Sequence, residues 1–141
     1  MPTFQIYAVG QPHPLKAPCR QILELIAERP RAFFTNAEVL QELLHRYLSL
    51  RAWPQARGIF RRFALLMGDR VEPIYGGDIE QAASLADQNL GLSSRDLVHV
   101  AVMARVGADR IVSADRGFDR LRDLTRLDPA KLVDWRARVQ A

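Results

Sequence analysis

Apolar positions in this chain switch repeatedly between short unbroken runs and a helical spacing, and that switching predicts strands alternating with helices. Residues 4–9 predict an opening strand, closed by the turn-rich Gly10-Gln11-Pro12-His13-Pro14. Leu15, Cys19, Ile22, Leu23 and Ile26 then recur on one helical face, and Pro30 ends that helix. Ala32-Phe33-Phe34 is a brief strand, followed by Thr35-x-x-Glu38, a capping box that would start the next helix. The core stripe of that helix is Val39, Leu40, Leu43, Leu44 and Tyr47. A further helix runs through Ile59, Phe63 and Leu66 to Gly68.

Residues 71–75 predict a third strand, and Asp78 can cap a helix reaching about residue 89. Residues 97–106 are apolar almost all round, as in a helix packed on two sides. Residues 110–113 form a strand running into Ala114-Asp115, with a helical turn at 117–121 and a small terminal helix opening at Asp128-Pro129-Ala130. Such alternation implies an α/β fold whose mostly parallel sheet is covered on both faces. Ligands of such sheets sit at the carboxyl ends of the strands, where Asp115 falls.

Length and composition narrow the picture. The 141 residues suit a single domain spanning 1–141, with no internal repeat or Gly/Ser linker. A lone Cys19, in step with apolar neighbours, excludes a disulfide framework and a cysteine zinc site. The N-terminus lacks a signal-peptide pattern and no stretch is long enough to span a bilayer, so a cytoplasmic protein is expected. Net charge is +4, and only Lys16 and Lys131 are lysines among the 20 basic residues. Arginine suits bidentate phosphate contacts, although composition bias produces the same excess. Aromatic residues are too sparse for a base-stacking platform.

Several chemistries are absent from the sequence. It has no Gly-rich dinucleotide fingerprint, P-loop, His-Glu-x-x-His or nucleophile elbow. The three histidines, His13, His45 and His99, have no ligand spacing. His99, flanked by apolar residues, reads as a core histidine or a donor to a neighbouring ligand. Any chemistry must then come from carboxylates, or there is none. Asp115 follows a buried-looking strand and would also serve as a helix N-cap. Asp119 lies beside Arg116, Arg120 and Arg122 and would equally form a solvated ion pair. Asp96 stands three residues after Ser93, as a capping box places it. Glu42 belongs to a Glu38–Glu42–Arg46 stripe that reads as an i,i+4 surface pair. Spacing alone selects none of them.

Taken in order, these stretches resemble the PIN-domain family, the fold of VapC-type toxin ribonucleases in toxin–antitoxin pairs. Tyr-Ala-Val-Gly (7–10) with His-Pro (13–14) is similar to the end of the family's first strand and its loop. Glu-Val-Leu-Gln-Glu-Leu-Leu-His-Arg-Tyr (38–47) resembles the second motif, with Glu42 in the acidic place. Leu-Ser-Ser-Arg-Asp-Leu-Val-His-Val-Ala (92–101) resembles the third, carrying Asp96. Ile-Val-Ser-Ala-Asp-Arg-Gly-Phe-Asp (111–119) resembles the fourth, carrying Asp115 and, more peripherally, Asp119.

The resemblance implies a three-layer α/β/α fold with a sheet of four to five strands. It implies Glu42, Asp96 and Asp115 as ligands of Mg²⁺ or Mn²⁺, with Asp119 adjusting a water or second ion. Cleavage of RNA phosphodiesters by metal-activated water follows from the same likeness. So do a homodimer and an antitoxin whose arginine would enter among the repelling carboxylates. Arg57, Arg61 and Arg62 on one helix, with Arg116, Arg120 and Arg122, would form a rim for RNA.

One motif departs. The family's opening Asp-Thr-Asn-like stretch maps to Met1, Pro2 and Thr3, and no acid precedes Glu24. Either the authentic chain begins upstream or the first ligand has been lost. The second option makes the chain a catalytically impaired PIN fold that acts as an RNA-binding or dimerisation module.

Overall fold

The structure, a computed structural model, describes residues 4–6, 16–88 and 90–140. Strands β1 (Phe4–Ile6), β2 (Phe33–Asn36), β3 (Val71–Glu72), β4 (Arg110–Val112) and β5 (Thr125–Leu127) form one sheet in the order β3-β2-β1-β4-β5. Every adjacent pair is parallel, with Phe4 opposite Phe33 and Arg110, and Arg110 opposite Thr125. Parallel neighbours need crossovers, which helices α1 (Lys16–Glu28), α2 (Ala37–Ser49), α3 (Trp53–Met67), α4 (Gly76–Ala86) and α5 (Ser94–Val106) supply as far as β4, while the link from β4 to β5 carries only a 3-10 turn at Arg116–Arg120. Helix α6 (Leu132–Gln140) closes the chain.

Alternation along the short strands separates two cores. Phe33 and Val112 face Leu25 and Ile26 of α1, Val39 of α2, Phe63 of α3 and Trp135 of α6. Phe34 and Ile111 face the other way, against Ala82 of α4, Leu97, Val102 and Met103 of α5, and Phe118. Consecutive strand residues point to opposite faces, so a single step along the strand decides which helical layer a residue joins. The result is the expected three-layer α/β/α sandwich with five strands.

Of three local details, two differ from expectation and one holds. Thr35 is not the cap of α2: it is buried in β2, and Asn36 caps the helix by accepting the Val39 N–H at 3.0 Å. Asp78 does cap α4, from the third position of its first turn, accepting from the N-cap Tyr75 N–H at 2.8 Å and also from Arg105 Nε at 2.9 Å. β5 had no strand signal of its own; it becomes a strand by pairing with β4 along Arg110, Ile111 and Val112. The expected strand end at 7–9, the turn at 10–14, the side chain of Cys19 and positions 1–3 lie outside the described residues.

Chain order reverses between β1 and β4, which places a topological switch at the centre of the sheet. Asn36 ends β2, and Asp115 follows β4 by three residues, so both lie at carboxyl ends beside that switch.

Candidate active site

Helix α2 starts at the carboxyl end of β2 because Asn36 satisfies one of its free amide groups. That start sets the phase of Glu42. Its side chain is only 14% exposed, turned toward α5 rather than paired with Arg46 on a solvated face. Glu42 Oε1 lies 3.5 Å from His99 Nε2, within ion-pair range but outside hydrogen-bond geometry, and accepts no hydrogen bond among the described residues. Glu38, one turn earlier, faces Arg95 at 3.7 Å.

On α5, Ser93 is the N-cap and accepts the Asp96 N–H at 3.2 Å, as its spacing predicts. Asp96 is nevertheless buried, in contrast to an ordinary solvated first-turn acid. His99 stands one turn further along the same face. It is fully buried, with Nδ1 2.9 Å from Asn36 Nδ2. The helix therefore carries a buried carboxylate and, one turn on, an imidazole that meets the carboxyl end of β2.

Asp115 is exposed and acts as the cap the sequence allowed: its Oδ1 accepts the Gly117 N–H at 2.8 Å. Ser113 is buried, and its hydroxyl accepts the Asp115 N–H at 3.0 Å, fixing the backbone that presents the carboxylate. Space at Gly117 is tight, since a Cβ there would lie 3.0 Å from both Asp115 Oδ1 and Leu92 Cδ2.

Asp119 is committed elsewhere. Arg126 of β5 grips it in a fork, Nε to Oδ1 at 2.9 Å and Nη2 to Oδ2 at 3.2 Å. The Arg126 guanidinium holds the Asp119 carboxyl below the usual carboxylate range, and Asp119 in turn raises Arg126. Arg126 also donates to the Ser113 carbonyl at 3.1 Å. The pair thus clasps the loop that carries Asp115.

Glu42, partly buried, and Asp96, buried, are hard oxygen donors of the kind a divalent cation takes. The chemistry of the donors fits such an ion, and the unbonded Glu42 Oε1 is where it would be felt. Among the described residues, however, no group of three His, Cys, Asp or Glu side chains lies close enough together to hold a metal ion. Asp115 is presented beyond the carboxyl end of β4, two strands from β2, and among the described residues completes no such group. Sequence reasoning missed Asn36, whose only signal is that asparagine directly precedes a helical stripe.

A parallel sheet with this order, and acids at its carboxyl ends, is a doubly wound α/β fold with its candidate site where such folds bind ligands. A model described as the PIN domain matches residues 4–124, and the chain belongs to that family. It is similar to a protein named ribonuclease VapC13 from Mycobacterium tuberculosis, with 37% identity over 124 residues, covering 86% of this chain and 92% of that one. Among solved structures it is similar to VapBC2 from Rickettsia felis, bound to a promoter DNA fragment, with a TM-score of 0.66 and 15% identity over 89% of this chain and 98% of the other. The sarcin-ricin loop cleaving toxin VapC20 of Mycobacterium tuberculosis gives a TM-score of 0.55 at 22% identity, over 80% and 90% of the two chains. Nucleases of this class are in general dependent on divalent metal. No helix among the described residues is long and apolar enough to cross a membrane.

Proposed function

We propose that the chain is a metal-dependent endoribonuclease of PIN type, the toxin of a toxin–antitoxin pair, cleaving RNA phosphodiesters. The observation that carries this reading is the partly buried Glu42 carboxylate, whose Oε1 is out of solvent and accepts no hydrogen bond, in a chain similar along most of its length to proteins named ribonucleases. The reading takes residues 1–141 as one domain, because both cores are built on the same sheet. It also takes the protein as cytoplasmic and a homodimer.

Glu42, Asp96 and Asp115 would hold the cation, and all-oxygen ligands favour Mg²⁺ or Mn²⁺ over softer metals. When bound, that cation supplies Lewis-acid polarisation of the phosphate and an acidified water. The protein's own residues do the rest. Ser113 and Gly117 fix the Asp115 backbone and carboxylate by two hydrogen bonds. The Asp119–Arg126 clasp restrains the same loop, so its carboxylate serves position rather than ligation. Arg57, Arg61, Arg62, Arg116 and Arg122 are exposed and can meet phosphates, which orient RNA without reading its sequence. Arg120 is partly occupied, donating to the Leu90 and Gly91 carbonyls. An antitoxin arginine would find its counter-charge at Glu42 and Asp96.

A second reading, a PIN fold without catalysis that binds RNA or dimerises, is favoured by the absence of a three-acid cluster among the described residues. Calorimetric titration with Mn²⁺ separates the two. Wild type is expected to release binding heat that the Glu42→Gln, Asp96→Asn double variant lacks, with RNA cleavage lost in parallel. Equal heats from both proteins would rule the site out and leave the binding module.

A further inference from the structure

His99 is fully buried, yet it is no part of the ligand set, and the apolar run around it on α5 gives no reason for an imidazole. Its two ring nitrogens meet different neighbours. Nδ1 lies 2.9 Å from Asn36 Nδ2, and Nε2 lies 3.5 Å from Glu42 Oε1. Which nitrogen carries the proton follows from partners whose polarity is known.

The helix cap supplies that polarity. Asn36 accepts the Val39 N–H through Oδ1 at 3.0 Å. Only an oxygen can face an N–H there, so the helix fixes which way the amide points. The group left facing His99 is therefore the NH₂, which donates and cannot accept. His99 Nδ1 must then be the acceptor. A neutral ring whose Nδ1 accepts carries its single proton on Nε2, the nitrogen nearest Glu42.

We propose that Asn36 and His99 are positioning residues: the cap of α2 selects the Nε2–H tautomer of His99, and that N–H steers the Glu42 carboxylate toward the cation. The proposal rests on the reading of Glu42 as a ligand. Both residues are buried at 0% exposure, so neither polar group is offset by water. Such residues behind a ligand typically change metal affinity by about 10–100-fold when altered. At 3.5 Å the Glu42 contact is an attraction between the N–H dipole and the carboxylate.

The test begins with ¹⁵N-histidine-labelled full-length protein, in which ring nitrogen shifts report the tautomer directly. The His99 signals are assigned by their loss in His99→Gln. Wild type should show Nε2–H, and an Nδ1–H ring would overturn the proposal without any metal being present. Asn36→Asp keeps a good N-cap but turns a second oxygen to Nδ1, so a ring proton should appear on Nδ1. Retention of the wild-type tautomer in folded Asn36→Asp would overturn it equally.

Mn²⁺ affinity is then read on the same proteins. Asn36→Ser, which keeps a capping oxygen but has no amide donor, should bind about 10–100-fold more weakly than wild type. His99→Gln, which can still offer a donor toward Glu42, should lose less than His99→Leu. Unchanged affinity in folded Asn36→Ser and His99→Leu, while Glu42→Gln loses binding, would remove the positioning role and leave Glu42 a ligand. Unchanged affinity in Glu42→Gln would remove the ligand assignment itself, and with it the role of His99 toward the metal.

Discussion

Replacing Asp119 by asparagine distinguishes a carboxylate that holds a loop from one that holds a metal. The variant keeps the size of the side chain and removes its charge. Asparagine keeps a single acceptor oxygen, so of the two hydrogen bonds from Arg126, at 2.9 and 3.2 Å, one is lost and the other is no longer ionic. Asp119 is 53% exposed, so screening by water confines the loss to the range of exposed pairs, at its upper end because the fork is bidentate, about 0.5–1 kcal/mol. Arg126 is not stranded, since it still donates to the Ser113 carbonyl and lies 3.7 Å from Asp128.

The sign of the pH dependence follows from the direction of the shift. Arg126 lowers the folded-state pKa of Asp119, so the pair stabilises above the ordinary carboxylate pKa and loses that stabilisation as pH falls through the lowered one. Urea unfolding of wild type and Asp119→Asn should therefore differ at neutral pH and converge in strong acid. Mn²⁺ affinity should change by less than about threefold, the equivalent of a sub-kcal/mol effect. A tenfold or greater loss of Mn²⁺ binding with unchanged stability would refute the clasp and return Asp119 to the metal site.

Two substitutions elsewhere have equally definite outcomes. Gly91→Ala forces an alanine to φ +72° and brings its Cβ within 2.6 Å of Arg120 Nη1, so urea unfolding should show a loss of about 1–2 kcal/mol, most of it persisting in an Arg120→Ala background where only the backbone cost remains. Arg57, Arg61 and Arg62 replaced together by alanine should flatten the dependence of log K on log salt for single-stranded RNA, measured in a Glu42→Gln background. The slope should fall by about 0.7 for every phosphate those arginines neutralise, and an unchanged slope would place the RNA elsewhere.

Much of the molecule is legible along the chain. The strand–helix alternation follows from periodicity, which is a local property. So do the Ser93 and Asp115 caps, whose partners are two or three residues away at Asp96 and Gly117. The PIN likeness is legible because four motifs stand in order, and it singles out Glu42, Asp96 and Asp115 where spacing alone favours caps and surface pairs.

What the tertiary structure decided involves partners distant in sequence. Glu42 sits on a stripe that reads as solvated, and only the packing of α2 against α5 turns it onto His99. Asn36 and His99 are 63 residues apart, and nothing along the chain announces that they share a hydrogen bond. Asp119 is surrounded by arginines in sequence, but its partner is Arg126, brought alongside when β5 pairs with β4. Pattern reports which face of an element is apolar. It does not report which polar side chains meet across two faces, because those meetings depend on where each helix crosses the sheet.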